Sequence, residues 1–447
     1  MSYHARSRWL RFAVCMAAVL VIFPVAGRLF AATRQVSVES LIYDLKNPDS
    51  VRRETAAREL GVAKYRAATP QLVPLAHDPV AAVRRQVELA LERMEDMQAL
   101  PGFIELASDP ENDIRSRAVA SLVNVHLPRS TGIGATLTRF GELINVVPDR
   151  ELEIIVEPDV PVDPAVITTL QARIGDSERG IRRTAIRGLG ILRGTVAVPD
   201  LLQVVREDRD DGLRFEGVRA LWKINDASAA PELVALLNVN NDTVRNELIE
   251  TLGSMRFRGA VAELTRIVEQ STRPDKSRIL ALGALADIAD PASMPVFDRL
   301  KGDGNELLRL YANEGIARTT DPGQKTEISA ARLIEKSPRV RTAQAFALSR
   351  IGEREYLDEL VRALDGKATR DLAREYLLET KAEDRQALFA PRSVNAATRA
   401  ELADVLGRMG DPHALPALQE LQHDSDADVA KAAERATRRI AVVSGTQ

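Results

Sequence analysis

The stretch Ile181-Arg182-Arg183-Thr184-Ala185-Ile186-Arg187-Gly188-Leu189-Gly190 decides the fold of this chain. Ile181, Ala185 and Leu189 recur at i, i+4 and i+8, which makes an apolar stripe along one helix face, with Arg182 one step off it. Arginines in the same setting stand at Arg52, Arg84, Arg115, Arg182, Arg214, Arg245, Arg278, Arg309, Arg341, Arg370 and Arg399. Their spacings are 32, 31, 67, 32, 31, 33, 31, 32, 29 and 29 residues, so one interval departs, and it is close to two periods. From Arg84 onward the seventh residue after each marker is Leu or Ile, from Leu91 and Leu122 to Leu406. The first unit is shifted by one, with Leu60 eight places after Arg52, and a final unit places its marker position at Ala430.

Ahead of each such helix lies a turn and a second apolar segment, as in Pro70-Gln71-Leu72-Val73-Pro74-Leu75, Pro199-Asp200-Leu201-Leu202 and Pro416-Ala417-Leu418. Proline is tolerated in a first helical turn, where its missing N–H has no partner to lose. Each unit therefore reads as helix, turn, helix. One pair cannot bury its own apolar face but stacked neighbours can, so the period predicts an all-α solenoid. Composition agrees. Aromatics are 4% of the 447 residues, too few for a pleated β core, whereas helices pack on Ala and Leu.

An acid six residues before the marker recurs in Asp78 with Arg84, Asp109 with Arg115, Asp176 with Arg182, Asp208 with Arg214 and Asp303 with Arg309. With the Ile181 to Gly190 stretch, this resembles the HEAT-like repeat of the phycobilisome-lyase type, over about residues 38–440. The resemblance implies a HEAT-like α-solenoid of about 12–13 helix-turn-helix units with one remodelled unit. It further implies that the Asp caps the second, inner helix and that the Arg joins it in a ladder of hydrogen bonds between units. These ten residues then have a structural role. Val239 and Thr272 replace the acid before Arg245 and Arg278, so a discontinuous ladder is expected there.

Four segments are expected: residues 1–32 as a signal peptide or N-terminal membrane segment, units over 33–147, an extended insert at 148–164, and further units over 165–447. Leu137, Leu143 and Ile144 can still supply a helix within 134–147. The insert carries four prolines and is acidic, with Asp149, Glu151, Glu153, Glu157, Asp159 and Asp163 against Arg150. At the N-terminus Arg6, Arg8 and Arg11 precede an uncharged run from Phe12 to Gly27, which reads as an export signal. An uncleaved tether through residues 12–27 is the alternative, although a run of that length spans only about 24 Å of the roughly 30 Å a bilayer core requires. The bulk is expected in the periplasm or cell envelope.

Cys15, the only cysteine, lies inside that run, so the remainder has no disulfide, cysteine nucleophile or thiolate metal site. Removing residues 1–32 leaves 57 basic against 64 acidic residues, a formal charge of −7, which argues against non-specific nucleic-acid binding. The five histidines, His4, His77, His126, His413 and His423, form no His-Glu dipeptide of the kind the HEAT-like di-iron hydroxylases use, and His77 and His423 occupy equivalent turns. No phosphate loop, serine elbow or zinc helix appears. No catalytic, cofactor or metal site is therefore expected.

Residues one, two and five places after each marker are expected to face outward, on the concave surface if the family pattern holds. The candidate partner-binding residues are Arg85, Arg117, Arg183, Arg187, Arg219, Phe215 and Tyr311, with Ile279, Leu310 and Phe346 as apolar neighbours. Glu247, Glu250, Glu314, Asp371, Glu375, Glu401 and Asp404 make the later face acidic. The expected function is a non-catalytic scaffold for a protein or peptide partner. The alternative is an enzyme or enzyme maturation factor of the hydroxylase or lyase type, with insert carboxylates such as Asp159 and Asp163 as its site.

Overall fold

An aspartate and a proline set the start of several of the repeats. The computed structural model describes residues 37–127, 154–156, 160–270, 275–319, 322–390 and 393–443. Glu95, Asn225, Ala289 and Gly410 turn the chain through the left-handed region, and the next residue, Asp96, Asp226, Asp290 or Asp411, caps a short 3-10 turn. These carboxylates accept the N–H two residues on at 2.8–3.0 Å. The first helix follows with proline in its first turn, as in Leu100–Leu106, Ala230–Ala235, Met294–Leu300 and Leu415–Gln422.

Each first helix returns on a second, marker-bearing helix, and there are twelve such pairs among the described residues. They run from Val38–Asp44 with Ser50–Val62 to Leu415–Gln422 with Ala427–Val443, and no strand occurs among the described residues. The chain is all-α, with the helix pairs of a solenoid. It divides into two compact bodies at Ala185–Ile186, inside the helix Arg179–Ile191.

In both bodies the core is the stripe read from the sequence. Leu91, Leu122, Leu189, Leu221, Leu252, Leu285, Ile316, Leu348, Leu377 and Leu406 are each at most 1% exposed. Full burial of one such side chain is worth about 1.5–3 kcal/mol before chain entropy is counted. Consecutive second helices also touch backbone to backbone. A Cβ on Gly61 would lie 2.6 Å from Ala90 Cα, and one on Gly407 would lie 2.7 Å from Ala436 Cα, so no larger residue fits at either position.

Two sequence expectations need correction or placement. The first marker is Arg53, not Arg52: Arg53 is the fourth residue of Ser50–Val62, like Arg84 in Ala81–Met94, and buried Leu60 is seven places beyond it. Arg52 is exposed and comes only within 3.9 Å of Asp44. The long interval is bridged directly. Arg115 pairs with Asp176 and Asn112 donates to Glu178 at 2.8 Å, so the turn before Arg179–Ile191 lies beside Asn112–Asn124. Residues 1–32, the helix expected in 134–147, and residues 148–153 and 157–159 of the insert lie outside the described residues. Of the remaining insert, Ile154 to Val156 has no regular structure, and Asp163 caps the helix Pro164–Arg173 by accepting the N–H of Ala165 at 2.8 Å. No helix among the described residues is long and apolar enough to cross a membrane.

Candidate functional site

Arg84 shows how one rung of the ladder is built. Its Nε and Nη2 donate to the Asp109 carboxylate at 2.6 and 3.0 Å, and Nη1 donates to the Asp78 carbonyl at 2.9 Å. Asp109 also accepts the N–H of Glu111, so it caps its own turn while the arginine of the preceding unit grips it. Asp78, the acid six residues before Arg84, thus lends its backbone carbonyl, and the carboxylate comes from the next turn. Arg53 with Asp78, Arg115 with Asp176 and Arg399 with Asp424 repeat this fork, and Arg309 makes it with Glu335 while donating to the Asp303 carbonyl. Such two-point guanidinium–carboxylate contacts fix orientation as well as distance.

Between these rungs the arginines use backbone acceptors. Arg182 donates to the carbonyls of Asp176 and Ser177, Arg214 to Val205, Arg245 to Val239 and Arg278 to Val268. Arg214 and Arg245 also hold Asp211 and Asp242 three residues back in their own helices. Asp208 and Asp303 cap turns by accepting the N–H of Asp210 and Asn305.

The residues expected to face outward divide into two groups. Arg117 is exposed and 3.9 Å from Glu92; Arg85 is half-buried and forks onto Asp113 at 2.6 and 3.1 Å. Arg183, Phe215, Tyr311 and Ile279 are half-buried. Arg187 donates to Glu216 at 2.5 Å. Contrary to expectation, Arg219, Glu247, Glu314, Leu310 and Phe346 are buried. Arg219 lies 3.9 Å from Glu247 and 5.7 Å from the Phe215 ring, so it belongs to a seam between neighbouring second helices. A buried charge without a partner is strongly disfavoured, and pairing of this kind replaces the expected separation into basic and acidic ends.

The second body shows why a position on the outer side of a helical wheel can be buried. Tyr376 on Arg370–Leu378 reaches Glu314 on Glu306–Thr319, two units away, with a hydrogen bond of 2.5 Å. Phe346 of the intervening helix Pro338–Arg350 stacks on Tyr376, ring centroids 4.4 Å apart. Arg318 closes the group, donating to Glu379 at 2.8 Å, Asp287 at 3.1 Å and Glu314 at 3.4 Å. Burial pushes the Glu314 carboxyl up, against the pull of Arg318, and burial with the neighbouring Glu314 holds the Tyr376 phenol well above its usual range. Burial opposes the Arg318 charge, but Glu379 and Glu314 outweigh it. Sequence reading missed Tyr376, Arg318 and Glu379 because they lie six and nine residues after their markers, where no repeat rule places a partner.

In the first body Glu88 is fully buried on Ala81–Met94 and accepts from the Ser121 hydroxyl at 3.2 Å, while its second oxygen has no partner among the described residues. Burial, and then the nearby Glu92 charge, raise its carboxyl to about 8. Ser121 and Glu92 also line a cavity of about 380 Å³ with Arg66, Phe103 and Leu127. Three of the four described histidines make single contacts: His77 with Glu105, His126 with the Leu122 carbonyl, His413 with Asp411. Among the described residues no group of three or more His, Cys, Asp or Glu is arranged to hold a metal ion.

Stacked helix pairs tied through their turns by arginine forks define an α-helical repeat protein. The HEAT repeats family model matches residues 38–123, 161–222 and 198–286, and the PBS lyase HEAT-like repeat model matches residues 398–424. The chain is a HEAT-repeat protein. Similar solved structures include an engineered protein at 16% identity, covering 90% of this chain and 98% of that one with a TM-score of 0.37. Human deoxyhypusine hydroxylase in complex with glycerol is 21% identical over 55% of this chain and 98% of its own, with a TM-score of 0.28. The complex of CpcE and CpcF of phycocyanin lyase from Nostoc sp. PCC7120 gives 18%, 65% of this chain, 100% of that chain and 0.35. No curated protein matches the chain.

Proposed function

We propose that this HEAT-repeat protein is an exported, non-catalytic scaffold that binds another protein or a peptide segment. The observation that carries the reading is the run of forks Arg53–Asp78, Arg84–Asp109 and Arg115–Asp176, which ties successive turns of the first body in one register. On that tied frame Arg85 and Arg117 each bridge to a carboxylate of a neighbouring second helix, so their charged heads are held at fixed separations without being buried. A repetitive surface with fixed spacing suits an extended partner and needs no pocket. Export rests on the basic and apolar pattern of residues 1–32.

The rival reading, an enzyme or maturation factor of the hydroxylase or lyase type, draws on the acidic insert. Asp163, one of its two named carboxylates, is occupied as a helix cap. The two readings separate in one experiment. A photocrosslinking amino acid at position 117 or 333 of the exported chain should capture a discrete protein band, with position 288, in the core, as the silent control. Metal analysis and turnover assays on the purified chain, with Asp159→Ala and Asp163→Ala, test the rival. Failure to capture any protein at either exposed position, together with stoichiometric metal, would overturn the scaffold reading.

A further inference from the structure

Eleven arginines occupy the marker position, and ten of them donate to a backbone carbonyl in the last turn of the preceding helix or in the turn that follows it: Arg53, Arg84, Arg115, Arg182, Arg214, Arg245, Arg278, Arg309, Arg370 and Arg399. Arg341 is the exception. Among the described residues its exposed guanidinium has neither a carbonyl acceptor nor a carboxylate partner. The repeat explains why. Where a fork forms, the acid sits six residues before the next marker, as Asp109 does before Arg115 and Glu335 before Arg341. For Arg341 that position, six before Arg370, is Leu364, which is fully buried.

The unfilled rung opens beside a large apolar side chain, Leu333. Leu333 and Ile334 end the helix Lys325–Ile334 and are 87% and 81% exposed, the two most exposed large hydrophobic residues among those described. Leu333 and Arg341 line the same shallow cavity of about 540 Å³, whose lining also includes Tyr356 and Arg332. Arg332 lies 5.5 Å from the Tyr356 ring and is paired with Glu359, so its charge is already answered. Arg341 therefore supplies an uncompensated positive charge in a hollow that also presents Leu333 and Tyr356.

We propose that this hollow docks a polypeptide segment of the partner that carries a carboxylate next to a large apolar side chain. The carboxylate takes the place of the missing ladder acid and forms the two-point contact with Arg341 that the sister arginines make within the chain. The apolar side chain covers Leu333 against Tyr356. This names a site and a partner chemistry for the scaffold reading and rests on it.

The test uses the full chain and defined peptides. A phage-displayed random heptapeptide library is selected on the immobilised protein, and enriched peptides are synthesised with a fluorescein label for anisotropy titration. Enriched sequences should share Asp or Glu within two positions of Leu, Ile or Phe. They should bind at least about 10-fold more weakly to Arg341→Ala and to Leu333→Ser, with Arg341→Lys between, because lysine keeps the charge but not the fork. All three substitutions are at exposed positions and should leave thermal unfolding unchanged, which controls for folding. Peptides without an acid, affinities within twofold of the parent in both variants, or no enrichment at all would each overturn the site. If the enriched peptides instead lose binding in Arg117→Glu, the Arg341 site falls while the scaffold reading stands. If nothing binds and the crosslinkers at 117 and 333 are also silent, the reading falls with it.

Discussion

Tyr376 donates its phenolic hydrogen to Glu314 at 2.5 Å from two repeats away, over the face of Phe346, which stacks on the tyrosine ring at 4.4 Å. The contact joins three consecutive second helices by one polar and one aromatic interaction. It accounts for the burial of positions that the helical stripe alone would place in solvent. Arg318, bonded to Glu379, Asp287 and Glu314, extends the same tie to the second helix of the unit before and to the turn after Tyr376.

Removing only the hydroxyl isolates the polar half of that tie. Tyr376→Phe keeps the stack but leaves Glu314 with one partner fewer in a buried site, so unfolding in urea should show a loss of about 1–3 kcal/mol. Tyr311→Phe, a half-buried tyrosine on the same helix as Glu314, should change stability by less than about 0.5 kcal/mol. Equal effects would show that the Glu314 bond contributes nothing specific.

The ladder gives a contrast between two arginines on consecutive second helices. Arg84→Ala strands the buried Asp109 carboxylate without its fork and should cost about 3 kcal/mol in denaturant unfolding. Arg117→Ala, whose exposed head stands 3.9 Å from an exposed Glu92, should stay within about 0.5 kcal/mol. Adding Asp109→Asn to Arg84→Ala should recover part of the loss, since the stranded charge is then gone. A double variant as unstable as the sum of the two singles would mean the pair does not act as one unit.

The fold was legible because the repeat is written in residues that cannot hide. A leucine or isoleucine seven places after an arginine, eleven times over, leaves one architecture that buries them all. The register of the first unit was misread by one because Arg52 and Arg53 are adjacent and only Leu60 tells them apart. The partner of each ladder arginine was less legible: the Asp–Arg spacing of six marks a carbonyl contact, while the carboxylate lies some 25 residues on, across a unit boundary that no local pattern reports. Outward positions were the least legible. Arg219 and Glu314 are on the solvent side of their own helix, and it is the neighbouring helices that cover them.

Ala289 ends the helix Lys276–Ile288 at φ 56°, where an L-residue's Cβ crowds the following carbonyl. Glycine removes that crowding, and its extra freedom in the unfolded chain offsets only part of the gain, so Ala289→Gly should stabilise the protein by about 0.5 kcal/mol. Ala286→Gly, in the interior of the same helix, should destabilise it by about 1 kcal/mol or more. Thermal unfolding of the two variants side by side decides the matter, and a fall in both would place the strain elsewhere.

Glu88 gives the protein a pH dependence of defined sign. Its carboxyl rises from 4.5 to about 8 on folding, chiefly through burial, so the folded state binds the proton more tightly than the unfolded chain. The resulting stabilisation is fully present below pH 4.5 and is lost as pH rises through 8, amounting to about 3 kcal/mol lost by pH 7 at about 1.4 kcal/mol per unit. His126, just past the end of the helix Asn112–Asn124 and held below its ordinary value by burial, acts in the opposite sense, with stability lost as pH falls below 6.5. The measurement is therefore a difference between the wild-type chain and Glu88→Gln, in which the contribution of His126 cancels. Glutamine is isosteric, can still accept from Ser121, and carries no charge at any pH. Urea midpoints at pH 5, 6.5 and 8 should show the variant near the wild type at pH 5 and progressively more stable than it at 6.5 and 8. Parallel curves would mean that Glu88 ionises in the folded protein as readily as in the unfolded one, and that its unpartnered oxygen is reached by water.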